Sequence, residues 1–149
     1  MLPDQEDIAM PDYMLLLHAD EKAGLALPKE VMAQWMEKMH AYKAALDKAG
    51  AHVAHGALGT SKSASIVHLD RAGEMQVHDG PFAEAKEQLG GYYVINAATT
   101  AEAQIWAAKC PGAIWGHIEI RDIEGLRRTS CECYAAVRLH YERLLGPVG

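Results

Sequence analysis

The chain has 149 residues, a length that suits one compact domain with a core of its own. Half of the residues are hydrophobic and 23% are charged, and these ordinary globular values exclude disordered, fibrous and low-complexity proteins. Fourteen Lys and Arg against twenty Asp and Glu give a formal net charge of −6, which argues against nucleic acid as a partner.

The N-terminal residues, the longest apolar run and the cysteines all bear on localisation. Residues 1–11 start acidic and lack both a basic region and a long apolar run, so they predict a flexible tail rather than a secretory signal. The longest apolar run, Tyr13 to Leu17, is far shorter than the roughly 20 residues that cross a bilayer. The chain has three cysteines, Cys110, Cys131 and Cys133. Because an odd number cannot all pair and no export signal is predicted, we expect free thiols rather than disulfides. We expect a cytoplasmic protein with no membrane partner.

The first half of the chain predicts a strand, a long helix and a hairpin. Tyr13 to Leu17 is continuously apolar, as in a strand buried on both faces. Pro28 suits a first helical turn and Gly50 a C-cap, and apolar residues recur between them at helical spacing: Val31, Trp35, Met39, Tyr42 and Leu46. Three strands are predicted next, the last two joined by a turn: His52 to Leu58, Ser63 to Leu69 and Met75 to Val77.

The second half predicts a turn, a strand, a helix, a half-exposed strand and a final helix. A charged segment after the turn covers a sheet edge, and Thr99 or Thr100 caps the first of the two helices. The predicted segments are, in order, Asp79 to Pro81, Tyr92 to Ile95, Thr99 to Lys109, His117 to Arg121 and Thr129 to Leu145.

This order, β-α-β, a hairpin, then β-α-β, predicts an α+β protein with a ferredoxin-like split βαβ plan and an extra hairpin. We divide the chain into the tail, a domain over 12–123 and a C-terminal helical extension over 124–149. Two strands are apolar on both faces, while the helices cover one face of the sheet. A symmetric partner sheet is the simplest cover for the other face, so we expect a homodimer.

One stretch resembles a known family motif: Asp79-Gly-Pro-Phe-Ala-Glu-Ala-Lys-Glu-Gln-Leu-Gly-Gly-Tyr-Tyr-Val-Ile95 is similar to the defining motif of the DGPF branch of the YCII-related family of small bacterial proteins. Supporting matches are Tyr13 to Leu17, Trp106 to Pro111 and His117 to Arg121, so the resemblance covers residues 12 to 123. It implies a ferredoxin-like fold that dimerises as an α/β barrel. Biochemical function is mostly unassigned for such proteins.

The resemblance also implies two kinds of function. Relatives are often encoded beside extracytoplasmic-function sigma factors, and the wider superfamily is proposed to include enzymes that use a His/Asp pair. Here the position of that Asp reads Cys110, before Pro111, and the position of the His falls at Met39 or His40. We therefore expect the inherited pair to be absent.

The DGPF motif has a structural and a functional interpretation. Asp79 can accept hydrogen bonds from nearby backbone amides, while Gly80 and Pro81 set the backbone of a turn, and such a turn needs no ligand. A turn alone does not require the charged residues that follow. In the functional interpretation Asp79, Glu84 or Lys86 lines a pocket.

The last predicted strand places polar residues on one face. Alternation puts His117, Glu119 and Arg121 together and Ile118 and Ile120 opposite them. Arg121 can hold a ligand carboxylate and His117 can move a proton near neutral pH. Tyr92 or Tyr93 can add a hydroxyl. The alternative is an ion-pair network of Glu119 and Arg121 across the dimer interface.

The eight histidines do not predict a metal site. His52 and His55 are three apart on a strand, so we expect them on opposite faces. If Leu69 opposes Glu74, His68 and His78 pair out of step, and a site using His18 and His78 stays open. On the final helix only Cys133 and His140 share a face, because Cys131 points elsewhere. Cys110 precedes Pro111, and we expect it to be a buried small residue rather than a nucleophile.

The sequence thus predicts a dimeric, cofactor-independent protein that binds a small polar or anionic molecule, with lyase- or isomerase-like acid/base chemistry as a further step. It lacks phosphate-loop, dinucleotide-binding and serine-hydrolase motifs. The candidate catalytic residues are His117, Asp79 and His78, and the candidate ligand-binding residues are Arg121, Glu119, Lys86, Glu84, Tyr92 and His18. The alternative is an interaction module for a regulatory protein such as a sigma factor, with the final helix as its docking element.

Overall fold

The computed structural model describes residues 11–81 and 85–123. Over these residues the chain forms β1 (Asp12–Ala19), α1 (Glu21–Leu25), α2 (Lys29–Lys48), β2 (His52–Ala57), a 3-10 turn (Ser61–Ser63), β3 (Ser65–Leu69), β4 (Met75–Asp79), β5 (Gln88–Asn96), α3 (Thr100–Lys109), α4 (Gly112–Trp115) and β6 (Gly116–Asp122). Most of the predicted tail, Glu84, and the final helix predicted over Thr129 to Leu145 with its cysteines and histidine lie outside the described residues.

Four strands form one antiparallel sheet in the order β2-β5-β1-β6, and β3 and β4 form a separate antiparallel hairpin. Without the hairpin, the remaining strands and helices form two βαβ units, one with β1 and β2 and one with β5 and β6. In the sheet, β5 lies between β1 and β2, and β1 lies between β5 and β6, as in a ferredoxin-like fold. The predicted α+β, ferredoxin-like plan with an extra hairpin is therefore confirmed.

The core lies on one face of this sheet. Leu15 of β1, Ile95 of β5 and Leu46 of α2 are fully buried, and α3 adds Ala103 and Ala107. Buried side chains alternate along β1 and β5, as expected of strands with one face against helices. On the opposite face of the sheet the side chains are only half-buried in the single chain.

The helix boundaries follow from their caps. α2 begins after Pro28, as predicted, and ends before Gly50, whose φ of 67° lies in the left-handed region that glycine tolerates. Thr99 caps α3 by accepting a hydrogen bond from the backbone N–H of Glu102, at 3.2 Å. Among the described helices, none is long and apolar enough to cross a membrane.

Candidate functional site

The alternation predicted for β6 is confirmed. Ile118 and Ile120 pack against the core, and His117, Glu119 and Arg121 therefore lie on the opposite face of the sheet. None of these three polar side chains needs full desolvation there, because none is buried. The strand thus presents an imidazole, a carboxylate and a guanidinium in a row beside β1.

His18 joins this row from β1. The antiparallel register places His18 directly opposite His117, and the two rings stack with centroids 4.6 Å apart and planes 3° from parallel. The close approach of the strands depends on Gly116, because a Cβ there would lie 1.8 Å from the carbonyl oxygen of His18.

Two carboxylates partner the stacked imidazoles. Glu119 Oε2 lies 3.5 Å from His18 Nε2, while its Oε1 lies 2.6 Å from Arg121 Nε. Glu87 Oε2 contacts His117 Nδ1. We call these five residues the histidine cluster. The His18 Nε2 atom is buried and makes no hydrogen bond to the described part of the chain, since 3.5 Å to Glu119 is ion-pair distance only.

A cavity of about 400 Å³ lies between α2 and the end of the sheet where β1 finishes. Aromatic and apolar side chains dominate its wall, and its ionisable groups include His18, His40, Lys43 and His55. The remaining lining residues are Leu17, Ala19, Trp35, Met36, Met39, Gly56, Ala57, Gly90, Gly91, Tyr92, Tyr93, Gly112 and Trp115. No Asp or Glu occurs among these lining residues, although the chain as a whole is acidic.

Glycines shape the sheet side of this cavity. A Cβ on Gly91 would lie 2.8 Å from the carbonyl oxygen of Gly56, and a Cβ on Gly56 would lie 2.8 Å from the Tyr92 ring. The helix side is closed by Trp35, which meets Trp115 edge to face with ring centroids 5.4 Å apart. Two of the three tryptophans of the chain therefore stand at the cavity wall.

The expectation that His52 and His55 point to opposite faces is wrong. The register of β2 against β5 shifts between His52 and Ala54, so the strand contains a bulge that adds one residue. Both rings consequently lie on the same side, with His52 Nε2 2.9 Å from His55 Nδ1. His52 Nδ1 lies 3.5 Å from Asp47 Oδ1, and His55 stacks on Tyr93 with centroids 5.5 Å apart.

The register assumed for the hairpin is also wrong. Leu69 pairs with Met75 rather than with Glu74, so His68 and His78 share a face as diagonal neighbours. Their rings stack with centroids 5.4 Å apart. A one-residue slip in a hairpin exchanges its two faces, which explains the difference. Within the described residues no group of three or more His, Cys, Asp or Glu is arranged to hold a metal ion.

The predicted site residues fall into separate groups. His117, Glu119 and Arg121 lie together with His18 in the histidine cluster, and His18 also lines the cavity, as Tyr92 does. His78 and Asp79 are exposed on β4 of the hairpin and line neither feature. Lys86 is exposed and lines a separate surface groove with Lys22 and Lys62.

Three hydroxyl and thiol groups near the cavity stay protonated at neutral pH. Burial raises the pKa of Tyr42, whose hydroxyl donates to the carbonyl of Trp106 at 2.9 Å. Burial likewise raises the pKa of Tyr93 and of the Cys110 thiol. Cys110 is only 1% exposed, in agreement with its interpretation as a buried small residue.

Four residues of this region were not identified from the sequence. Glu87 lies in an irregular stretch before β5, where no periodicity marks which of several charged residues points to the sheet. His40, Lys43 and His55 line the cavity. For His40 and Lys43 the sequence did contain a signal. Met36, Met39, His40 and Lys43 are three or four residues apart and so lie on one face of α2, the face that lines the cavity.

Comparisons with known proteins give one family model and one relative. The family model of the YCII-related domain matches residues 12–127. An uncharacterized protein of Rhizobium meliloti is 36% identical to this chain over 115 residues, which are 74% of the chain and 90% of the relative.

Proposed function

Because the chain belongs to the YCII-related domain family and carries a cavity lined by a lysine, three histidines and aromatic side chains, we propose that it binds a small anionic molecule with an apolar body. The motif that begins at Asp79 is our reason for placing it in the DGPF branch of that family. The binding site in this proposal is the cavity between α2 and the sheet.

The charge balance of the cavity wall carries the proposal. Lys43 and three histidines line the cavity together with Trp35, Trp115 and two tyrosines, and no carboxylate is among the lining residues. In a chain of net charge −6, such a wall favours a ligand that brings its own negative charge. A volume of about 400 Å³ suits a small molecule, and the aromatic rings suit its apolar part.

His18 is the proposed acid/base group. His18 is one of the residues that line the cavity, its Nε2 is buried without a hydrogen bond to the described part of the chain, and Glu119 lies 3.5 Å from that atom. A carboxylate at this distance can hold the imidazole in one orientation, and an oriented imidazole supports proton transfer. His117 and Arg121 support His18 through the ring stack and through Glu119. In this proposal His18, and not His117 as the sequence predicted, is the acid/base residue.

A homodimer is part of the proposal. The face of the sheet opposite the helices carries Met14, Leu16 and Val94, each half-buried in the single chain, beside the histidine cluster. A second copy across this face would bury the apolar side chains and enclose the polar row in a barrel interior. Light scattering at micromolar concentration is expected to report twice the mass of one chain, and a monomer would contradict this part.

The alternative, an interaction module for a regulatory protein, depends on the helix predicted over Thr129 to Leu145. That segment lies outside the described residues, so the alternative stays a prediction. The cavity favours the small-molecule function.

Tryptophan fluorescence tests the ligand class, because Trp35 and Trp115 stand at the cavity wall. We expect saturable quenching by benzoate and a response to benzamide, its neutral isostere, that is at least about tenfold weaker. Lys43→Met removes a cation and leaves Asp47 without its 2.6 Å partner. Both effects disfavour an anion, so benzoate affinity is expected to fall about fivefold to tenfold.

Lys48→Met is the matched control, since Lys48 lies in the last turn of the same helix and is exposed away from the cavity. Its benzoate affinity is expected to stay within about twofold of the wild type. Equal quenching by benzoate and benzamide, or no saturable quenching by benzoate, would contradict the proposed function.

A further inference from the structure

Beside the cavity, two helix residues and two strand residues form a chain of polar contacts that the histidine cluster does not include. Lys43 Nζ lies 2.6 Å from Asp47 Oδ2 on α2, and Asp47 Oδ1 lies 3.5 Å from His52 Nδ1. His52 Nε2 lies 2.9 Å from His55 Nδ1, and His55 lines the cavity. A carboxylate, an inner imidazole and an outer imidazole therefore follow one another toward the cavity.

We propose that Asp47, His52 and His55 form a proton relay in which His55 is a second acid/base group of the cavity and the other two are positioning residues. This inference rests on the proposed function for its substrate. Its geometry, however, depends only on the bulge in β2, which brings both rings to one side of the strand.

The contacts favour one arrangement of the protons when both rings are neutral. The Asp47 carboxylate favours a proton on the His52 nitrogen that faces it, Nδ1. Nε2 of His52 is then unprotonated and must accept a hydrogen bond at 2.9 Å, so His55 donates from Nδ1. Nε2 of His55 is consequently left as a proton acceptor on a ring that lines the cavity.

The relay step conserves its proton. A donor in the cavity gives one proton to Nε2 of His55, and the Nδ1 proton of His55 passes to Nε2 of His52. His55 ends neutral with its proton on Nε2, and His52 ends as an imidazolium that faces Asp47. The positive charge thus moves away from the cavity to the carboxylate.

The surroundings of the pair are compatible with this direction of transfer. From α2 the groups that face the pair are Asp47 and Lys43, and from β5 the facing group is Tyr93, against which His55 stacks. His40 shares the cavity wall. The 2.6 Å hydrogen bond from Lys43 lowers the pKa of Asp47, a carboxyl group that is ionised at neutral pH even without this contact.

Ring-nitrogen NMR of the ligand-free protein tests the relay. Long-range proton–nitrogen spectra are expected to show about nine-tenths of neutral His55 with its proton on Nδ1. In Asp47→Asn the fraction of neutral His55 in this tautomer is expected to fall below about one half.

Two control variants keep the test specific. Lys43→Met retains Asp47 and is expected to keep the wild-type tautomer, and Glu37→Gln removes an exposed carboxylate elsewhere on α2 and is expected to do the same. Retention of the wild-type tautomer in Asp47→Asn, or an Nε2 proton on neutral wild-type His55, would overturn the relay. Because no ligand is present, failure of benzoate binding refutes the proposed function alone and leaves this result intact.

Discussion

Replacing Cys110 with aspartate is expected to destabilise the protein. Cys110 caps α3, is 1% exposed, and lies close enough to Tyr42 and Tyr93 to raise their pKa values. Burial already raises the pKa of its thiol. A carboxyl group in Cys110→Asp would meet the same desolvation, with no cation among the groups that perturb this thiol.

The size of the effect follows from linkage. Burial of this degree raises a carboxyl pKa by roughly 3 units, and each unit corresponds to about 1.4 kcal/mol, so the cost at neutral pH is about 4 kcal/mol. The folded pKa is raised above the unfolded value of about 3.9. Ionisation therefore favours the unfolded chain, and the penalty is full above the folded pKa and vanishes below pH 4.

Urea unfolding between pH 7.5 and pH 4, compared with Cys110→Ser, measures this penalty. The uncharged control loses the thiol without adding a carboxylate, so the difference between the two variants isolates the charge. We expect a gap of about 4 kcal/mol at neutral pH that narrows as the pH falls. A gap below about 1 kcal/mol that does not change with pH would refute the argument.

Further predictions concern the strands that support the site. Gly116→Ala places a Cβ 1.8 Å from the His18 carbonyl oxygen, so thermal unfolding is expected to show a loss of more than about 2 kcal/mol. Gly24→Ala, with open space around the new Cβ, is expected to change stability by less than 1 kcal/mol. Leu15→Ala empties a fully buried core position and is expected to cost about 2–5 kcal/mol in chemical unfolding. The same change at Leu25, 64% exposed, is expected to cost less than about 0.5 kcal/mol, and equal losses at the two leucines would contradict the assigned core.

The parts of the site that local periodicity governs could be predicted. Alternation along β6 separates Ile118 and Ile120 from the polar row, because a strand that covers one core has a period of two. The same reasoning gave the order of elements and the ends of α2.

The parts that depend on tertiary pairing could not be predicted. The bulge between His52 and Ala54 arises from pairing with β5, and the residues of β2 alone give no sign of it. One extra residue reverses every face assignment before it, which is why His52 and His55 were separated in error. The cavity likewise depends on how α2 sits above the glycines of the sheet, a distance that no sequence pattern specifies.

The most direct test of the central claim is a crystal structure of the protein soaked with 4-bromobenzoate, in which bromine marks the ligand by anomalous scattering. The account predicts a bromine peak inside the cavity between Trp35 and Tyr93, with the carboxylate directed to Lys43 or to one of the lining histidines. Bromine peaks confined to other surfaces, at a concentration that saturates the fluorescence change, would contradict the assignment of this cavity as the binding site.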